Sequence, residues 1–191
     1  MQINIDKKTG TFLGIIAALI LAVVFLLAGN SSMPMNHSSH GSAMSSDETM
    51  FAQMMIPHHE QAVTMSELAL KNTTNSDVIA LATAIRDSQG PEIKQMQGWL
   101  DGKSESHMHD MEMGGMLTEA ELKELASLKD AAFDQMFLTS MIVHHEGAIE
   151  MASMIKDSTK AEIKQLYENI VTSQSAEIET MKALLKSESN E

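Results

Sequence analysis

The chain contains one passage written twice. Met50 to Met65 reads MFAQMMIPHHEQAVTM, and Met136 to Met151 reads MFLTSMIVHHEGAIEM. Met50/Met136, Phe51/Phe137, Met55/Met141, Ile56/Ile142, His58/His144, His59/His145, Glu60/Glu146, Ala62/Ala148 and Met65/Met151 match at an offset of 86. The echo resumes at an offset of 85, with Ser88-Gln89, Glu92-Ile93, Met96 and Leu100 answering to Ser173-Gln174, Glu177-Ile178, Met181 and Leu185. An internal repeat constrains a fold more than composition does, because each unit must bury its apolar face against the other.

The spacing inside each unit is helical. Val78, Leu81, Ile85, Ile93, Met96 and Leu100 recur at helical intervals, as do Ile163, Leu166, Ile170, Ile178, Met181 and Leu185. Asp47 is expected to cap a first helix running to about Lys71, with a turn at 72–76 and a second helix from Asp77 to Leu100. Gly90-Pro91 is expected to kink that second helix, since proline removes a backbone donor and crowds the preceding turn. Thr118 with Glu121 forms a capping box for a short helix to about Lys129. A long helix then carries Phe133 to about Lys156, and the last helix follows a turn at Asp157-Ser158. No segment alternates with period two, so the fold class is all-α. Two similar α-hairpins, neither able to bury its own stripe, most simply pack together as a four-helix bundle.

The other segments are of different character. Residues 1–10 are polar and carry Lys7 and Lys8, and residues 11–29 form the apolar run TFLGIIAALILAVVFLLAG. That run is close to the ~20 residues that span a bilayer, and Ala28 with Leu26 two residues before it makes a poor cleavage site. Residues 1–29 are therefore read as a signal-anchor, with a cleaved signal peptide as the alternative. Basic residues precede the run and none follows until Lys71, which places the rest of the chain outside the cytoplasm. It would be anchored in the inner membrane by residues 11–29, or secreted if that segment is removed. Residues 30–46 read as a flexible tether, 47–187 as the bundle domain, and 101–117 as a flexible linker inside it.

Net charge excludes one class of partner and cysteine usage one class of site. At −13, with 13 Lys and Arg against 26 Asp and Glu, the chain has no basic excess to neutralise phosphates, so nucleic acid is not expected. With no cysteine there is neither a disulfide nor a thiolate metal site. Eighteen methionines are another matter.

At ~100° per residue, Phe51, Met54 and Met65 lie near the direction of His58, while Phe137, Met141 and Met151 lie near that of His144. One histidine of each pair is thus expected on the apolar stripe and the other, His59 or His145, at its margin. Met54/His58, Met55/His59 and Met141/His145 are four residues apart and share a helix face. Thioether sulfur is a soft neutral donor that suits Cu(I) and, by extension, Ag(I); imidazole suits copper as well. Zinc prefers thiolate, imidazole and carboxylate. A Glu-x-x-His di-iron pattern is missing, as are His-Glu-x-x-His and any Ser/His/Asp grouping. The expectation is a binding protein and not an enzyme.

Methionine is a good core filler, and a methionine stripe alone is commonly packing. The duplicated histidine pair goes beyond that. So do Met33, Met35, His37, His40 and Met44, and His107, Met108, His109, Met111, Met113 and Met116, which lie in polar segments with no core of their own and are read as secondary soft-metal ligands. Pro57 lies beside the first histidine pair, but Val143 replaces it in the second copy. Glu60, Glu67, Glu92, Glu146, Glu150 and Glu177 are expected on solvated faces or in pairs along a helix. Gln89 and Gln174 are expected as buried hydrogen-bond partners, orienting a histidine.

MMIPHHEQAVTMSELAL, then Gln89 with EIKQM and WL, then AAFDQMFLTSMIVHHEGAIEMA resemble the bacterial family catalogued as domain of unknown function 305, over roughly Asp47 to Leu185. The resemblance implies a ferritin-like four-helix bundle. It also implies a kinship with periplasmic copper-binding and copper-resistance proteins that take Cu(I) and Ag(I) through Met and His. Carried over by position, it implicates Met54, Met55, His58, His59 and Met65, and Met141, His144, His145, Met151 and Met154. The functional expectation is capture, buffering or transfer of Cu(I) or Ag(I), with a metal-trafficking protein as a further partner. A metal-dependent oxidoreductase on the same bundle and a metal-free partner-binding module are the alternatives.

Overall fold

Both halves of the repeat become helical hairpins in the computed structural model, which describes residues 44–100 and 113–188. In the first, α1 (Ser46–Asn72) turns through Thr73–Asn75 into α2 (Ser76–Leu100). In the second, α4 (Asp130–Ala152) passes through a 3-10 turn, Ser153–Ile155, into α5 (Ala161–Glu188). A short α3 (Glu119–Ser127) joins them. There is no strand among the described residues. The helices of each hairpin pack chiefly on one another, and the hairpins meet mainly through α1 and α4.

The ends of the helices follow from local chemistry. The expected cap at Asp47 is corrected to Ser45. The Glu48 backbone N–H donates to Ser45 Oγ at 3.1 Å, and the Ser45 N–H donates to Glu48 Oε2 at 2.8 Å, a reciprocal capping box. Asp47 falls in the first turn, where its charge still favours the helix N-terminus. Glu48 does a second job. It accepts from Ser158 Oγ at 2.6 Å and pairs with Lys160, tying the start of α1 to the turn before α5. Burial alone would raise its pKa, but the bonds from Lys160, Ser158 and Ser45 outweigh this and lower it to about 2. Thr118 and Glu121 form the expected box at α3. Both internal prolines are absorbed without a break, and α2 runs unbroken through Gly90-Pro91.

Repeat-matched residues reach matched depths. Phe51 and Phe137, Met55 and Met141, and Ala62 and Ala148 are all fully buried. Burying one such large side chain is worth roughly 1.5–3 kcal/mol, so the duplicated stripe supplies the drive that joins the hairpins. The apolar run at 11–29 and the tether to residue 43 lie outside the described residues. Among those described, no helix is long and apolar enough to cross a membrane.

Candidate metal centre

Helices α1 and α4 bring all four repeated histidines into the interior. His58, His59, His144 and His145 are each 0% exposed. The rings of His58 and His144 face one another across the two helices, centroids 3.8 Å apart and planes tilted by 41°. His145 follows with its ring 6.2 Å from that of His144. His59 and His145 are therefore not at the margin of the stripe, as expected, but inside. Each histidine helix packs against its own hairpin partner and against the other histidine helix. The buried arc is then wider than the single stripe that a one-sided projection assumes.

Three of the four rings are held through Nε2. His59 Nε2 donates to Glu92 Oε2 at 2.8 Å, and His145 Nε2 donates to Glu177 Oε2 at 2.8 Å. His58 Nε2 donates to the carbonyl of Gly114 at 3.1 Å. The remaining nitrogens, Nδ1 of His58, His59 and His145 and both nitrogens of His144, are buried without a partner. Burial, joined by the nearby His59 and His145 against the pull of the Gly114 bond, lowers the pKa of His58 to about 4. His144 lies well below the usual histidine range for the same first reason, reinforced by His58 and His145. Both are neutral at pH 7 and need lose no proton to bind a metal.

The glutamates divide. Glu60, Glu67, Glu146 and Glu150 are exposed as expected. Glu92 and Glu177 turn inward to the histidines, which corrects their assignment to solvated faces. Gln89 and Gln174, one turn earlier, are buried as expected, yet both amide atoms of Gln89 and Oε1 of Gln174 have no partner. The hydrogen bonds to histidine expected of the glutamines are made by the glutamates. The sequence signal was present in the matched pair Glu92/Glu177 within the 85-residue register.

Part of the expected flexible linker is also fixed. Gln61 grips Leu117 by both backbone atoms, donating from Nε2 to the carbonyl at 2.9 Å and accepting from the N–H at 2.7 Å. Gly115 adopts φ +86, and a Cβ there would lie 2.4 Å from the carbonyl oxygen of Val143; a Cβ on Gly147 would lie 2.0 Å from that of Gly114. Residues 113–117 thus form a strap laid closely on the histidine helices. The preceding candidates His107, Met108, His109 and Met111 lie outside the described residues, as do Met33, Met35, His37 and His40.

The methionines gather unevenly. One core cluster holds Met55, Met96 and Met151 buried, with Met44, Met54, Met113 and Met154 partly buried against it. Met44 and Met113, expected in segments with no core to fill, therefore pack on this one. Met96 was missed as a candidate because it fits the α2 packing stripe. Met65 and Met141 are fully buried, and Met116 is half-buried. Repeat symmetry does not account for Met54 and Met154, whose counterparts are Ser140 and Leu68. Among the described residues no group of three or more His, Asp or Glu is placed to hold a metal ion. The donors that remain are unpartnered imidazole nitrogens and thioether sulfurs, a set that fits a soft ion.

A family model described as Domain of unknown function (DUF305) matches residues 48–185. Among solved structures, a DUF305 protein from Streptomyces coelicolor is 33% identical with a TM-score of 0.70, the match covering 74% of this chain and 93% of that one. A DUF305 fragment from Deinococcus radiodurans is 32% identical with a TM-score of 0.67, covering 76% and 99%. CopM in its Cu(II)-bound form is 33% identical with a TM-score of 0.65, covering 73% and 96%. CopM also matches in its Cu(I)-bound and Ag-bound forms. No curated protein matches the chain.

Proposed function

This chain belongs to the DUF305 family, and we propose that it is an extracytoplasmic soft-metal-binding protein. In this reading a ferritin-like four-helix bundle captures Cu(I), or Ag(I), as cargo through Met and His and buffers it or hands it on. One observation carries the reading. Seven methionines collect in a single core cluster, in a bundle whose four buried histidines keep five ring nitrogens without partners. Thioether and neutral imidazole together favour a soft monovalent ion over Zn²⁺ or Mg²⁺. CopM, about a third identical, has been solved with copper and with silver bound, which supports the same cargo here.

Binding, not turnover, is the role proposed. The full burial of the four histidines supports this reading. Lys7 and Lys8 before the apolar run at 11–29 support a chain anchored in the membrane with its bundle outside the cytoplasm, where it would meet incoming copper and a protein that receives it. X-ray absorption on the Cu(I)-loaded protein tests the ligand set. Sulfur together with imidazole in the coordination shell is the expected result, and a shell of oxygen and nitrogen alone would contradict it.

A further inference from the structure

We propose that Glu92 and Glu177 are positioning residues, each holding Nε2 of its histidine so that Nδ1 of His59 and His145 becomes the metal-binding nitrogen. The inference rests on the metal-binding function proposed above. The chain builds one device twice. His59 and His145 are matched at an offset of 86, Glu92 and Glu177 at an offset of 85, and both pairs close at 2.8 Å between Nε2 and Oε2. Two helix pairs of one chain make the same contact between the same atoms.

The chemistry of imidazole does the rest. A neutral ring carries one N–H and one lone pair, and the hydrogen bond made by one nitrogen decides which atom has which. An ionised carboxylate can only accept, so it takes the N–H at Nε2 and leaves the lone pair at Nδ1. In both rings that Nδ1 is buried and has no partner. The Gly114 carbonyl, equally unable to donate, imposes the same choice on His58. His144 alone has neither nitrogen tied. Three of the four buried imidazoles thus have a set tautomer, and one can adjust. A carboxylate on the far nitrogen also raises the basicity of the ligating one and stops the ring from turning. Because the bond is to Nε2, an ion at Nδ1 leaves the carboxylate in place, and Glu92 and Glu177 need not become ligands themselves.

The test uses the full-length chain labelled with ¹⁵N at histidine, with two-bond ¹H–¹⁵N spectra recorded before and after adding Ag(I). Without metal, His58, His59 and His145 should each show the Nε2–H tautomer. Glu92→Leu should release His59 alone to a mixture, and Glu177→Leu should release His145 alone. Glu92→Gln and Glu177→Gln, whose amide oxygen still accepts, should keep the wild-type tautomer. On adding silver the Nδ1 resonances of His59 and His145 should move while Nε2–H persists. Silver affinity should fall about 10- to 100-fold in the leucine variants. An Nδ1–H tautomer in either metal-free ring would overturn the proposal, and so would loss of Nε2–H on binding. Silver retained with both Nδ1 resonances unmoved would overturn the proposal alone. No silver retained after desalting, counted by mass spectrometry, would remove the proposal and the function together. Should a leucine variant lose its helicity, the wild-type spectra still decide.

Discussion

His58 and His144 are related by the repeat and stand face to face, their ring centroids 3.8 Å apart, yet only His58 is hydrogen-bonded. The strap that bonds His58 through Gly114 has no counterpart at His144. A pseudo-symmetric pair is thereby made unequal, with one ring held and the other carrying two unpartnered nitrogens in the interior.

The burial of these rings makes the metal-free protein acid-sensitive. The folded pKa of His58 is about 4 against an ordinary 6.5, and that of His144 is also far lowered. Between those values the unfolded chain binds protons that the folded chain refuses, so stability falls as pH falls from 6.5 towards 4. His58 alone should cost on the order of 3 kcal/mol over that window. Urea denaturation of metal-free protein at pH 7, 6, 5 and 4 reads this directly, and a flat profile would contradict it.

A second acid limb belongs to Glu48. Its folded pKa is about 2, so its stabilisation is full above about 4.5 and is lost as pH falls from there towards 2. Glu48→Gln removes that limb, and at pH 7 it should destabilise the protein by about 1–3 kcal/mol through loss of the charged bonds to Ser158 and Lys160. Urea midpoints of the two proteins should converge as pH drops below 4.

The glycines offer a contrast within one protein. Gly147→Ala would place a methyl 2.0 Å from the Gly114 carbonyl oxygen and should cost about 1–3 kcal/mol as the strap is pushed off the histidines. Gly98→Ala meets nothing within 4 Å on an exposed face of α2 and should gain about 0.5–1 kcal/mol. Thermal melts of the two variants should move in opposite directions.

Sulfur can be removed with little loss of packing. Met54→Leu with Met154→Leu changes two partly buried thioethers that the repeat itself does not require. Stability should change by less than about 1.5 kcal/mol per site, while Cu(I) affinity should fall at least about tenfold, roughly 1.4 kcal/mol. Equal affinity in a folded variant would make these methionines packing alone.

The helices, the hairpin pairing and the burial of Phe51, Met55, Phe137 and Met141 were legible in the sequence, because helical periodicity repeated twice leaves few ways to arrange four stripes. The Ser45 cap was legible too, since Ser45 has Glu48 three residues on whereas Asp47 has Met50. The inward glutamates were not. Their partners lie on another helix, and a projection of α2 or α5 alone assigns an isolated charge to solvent. The strap was hidden for a similar reason: Gly114 and Gly115 read as linker residues until Gln61, 56 residues before Leu117, is seen to hold that backbone. Contacts between elements, not within them, separate the readable part from the rest.

The most direct test is an anaerobic Cu(I) titration against a chromophoric competitor. Three full-length proteins would be compared: wild type, a variant with His58, His59, His144 and His145 changed to Ala, and one with Met54, Met55, Met151 and Met154 changed to Leu. Tight binding by the wild type is expected, with weakened binding by both variants while they remain helical. A wild type that cannot compete for Cu(I), or two folded variants that titrate like it, would contradict the claim that this bundle holds soft metal through its histidines and methionines.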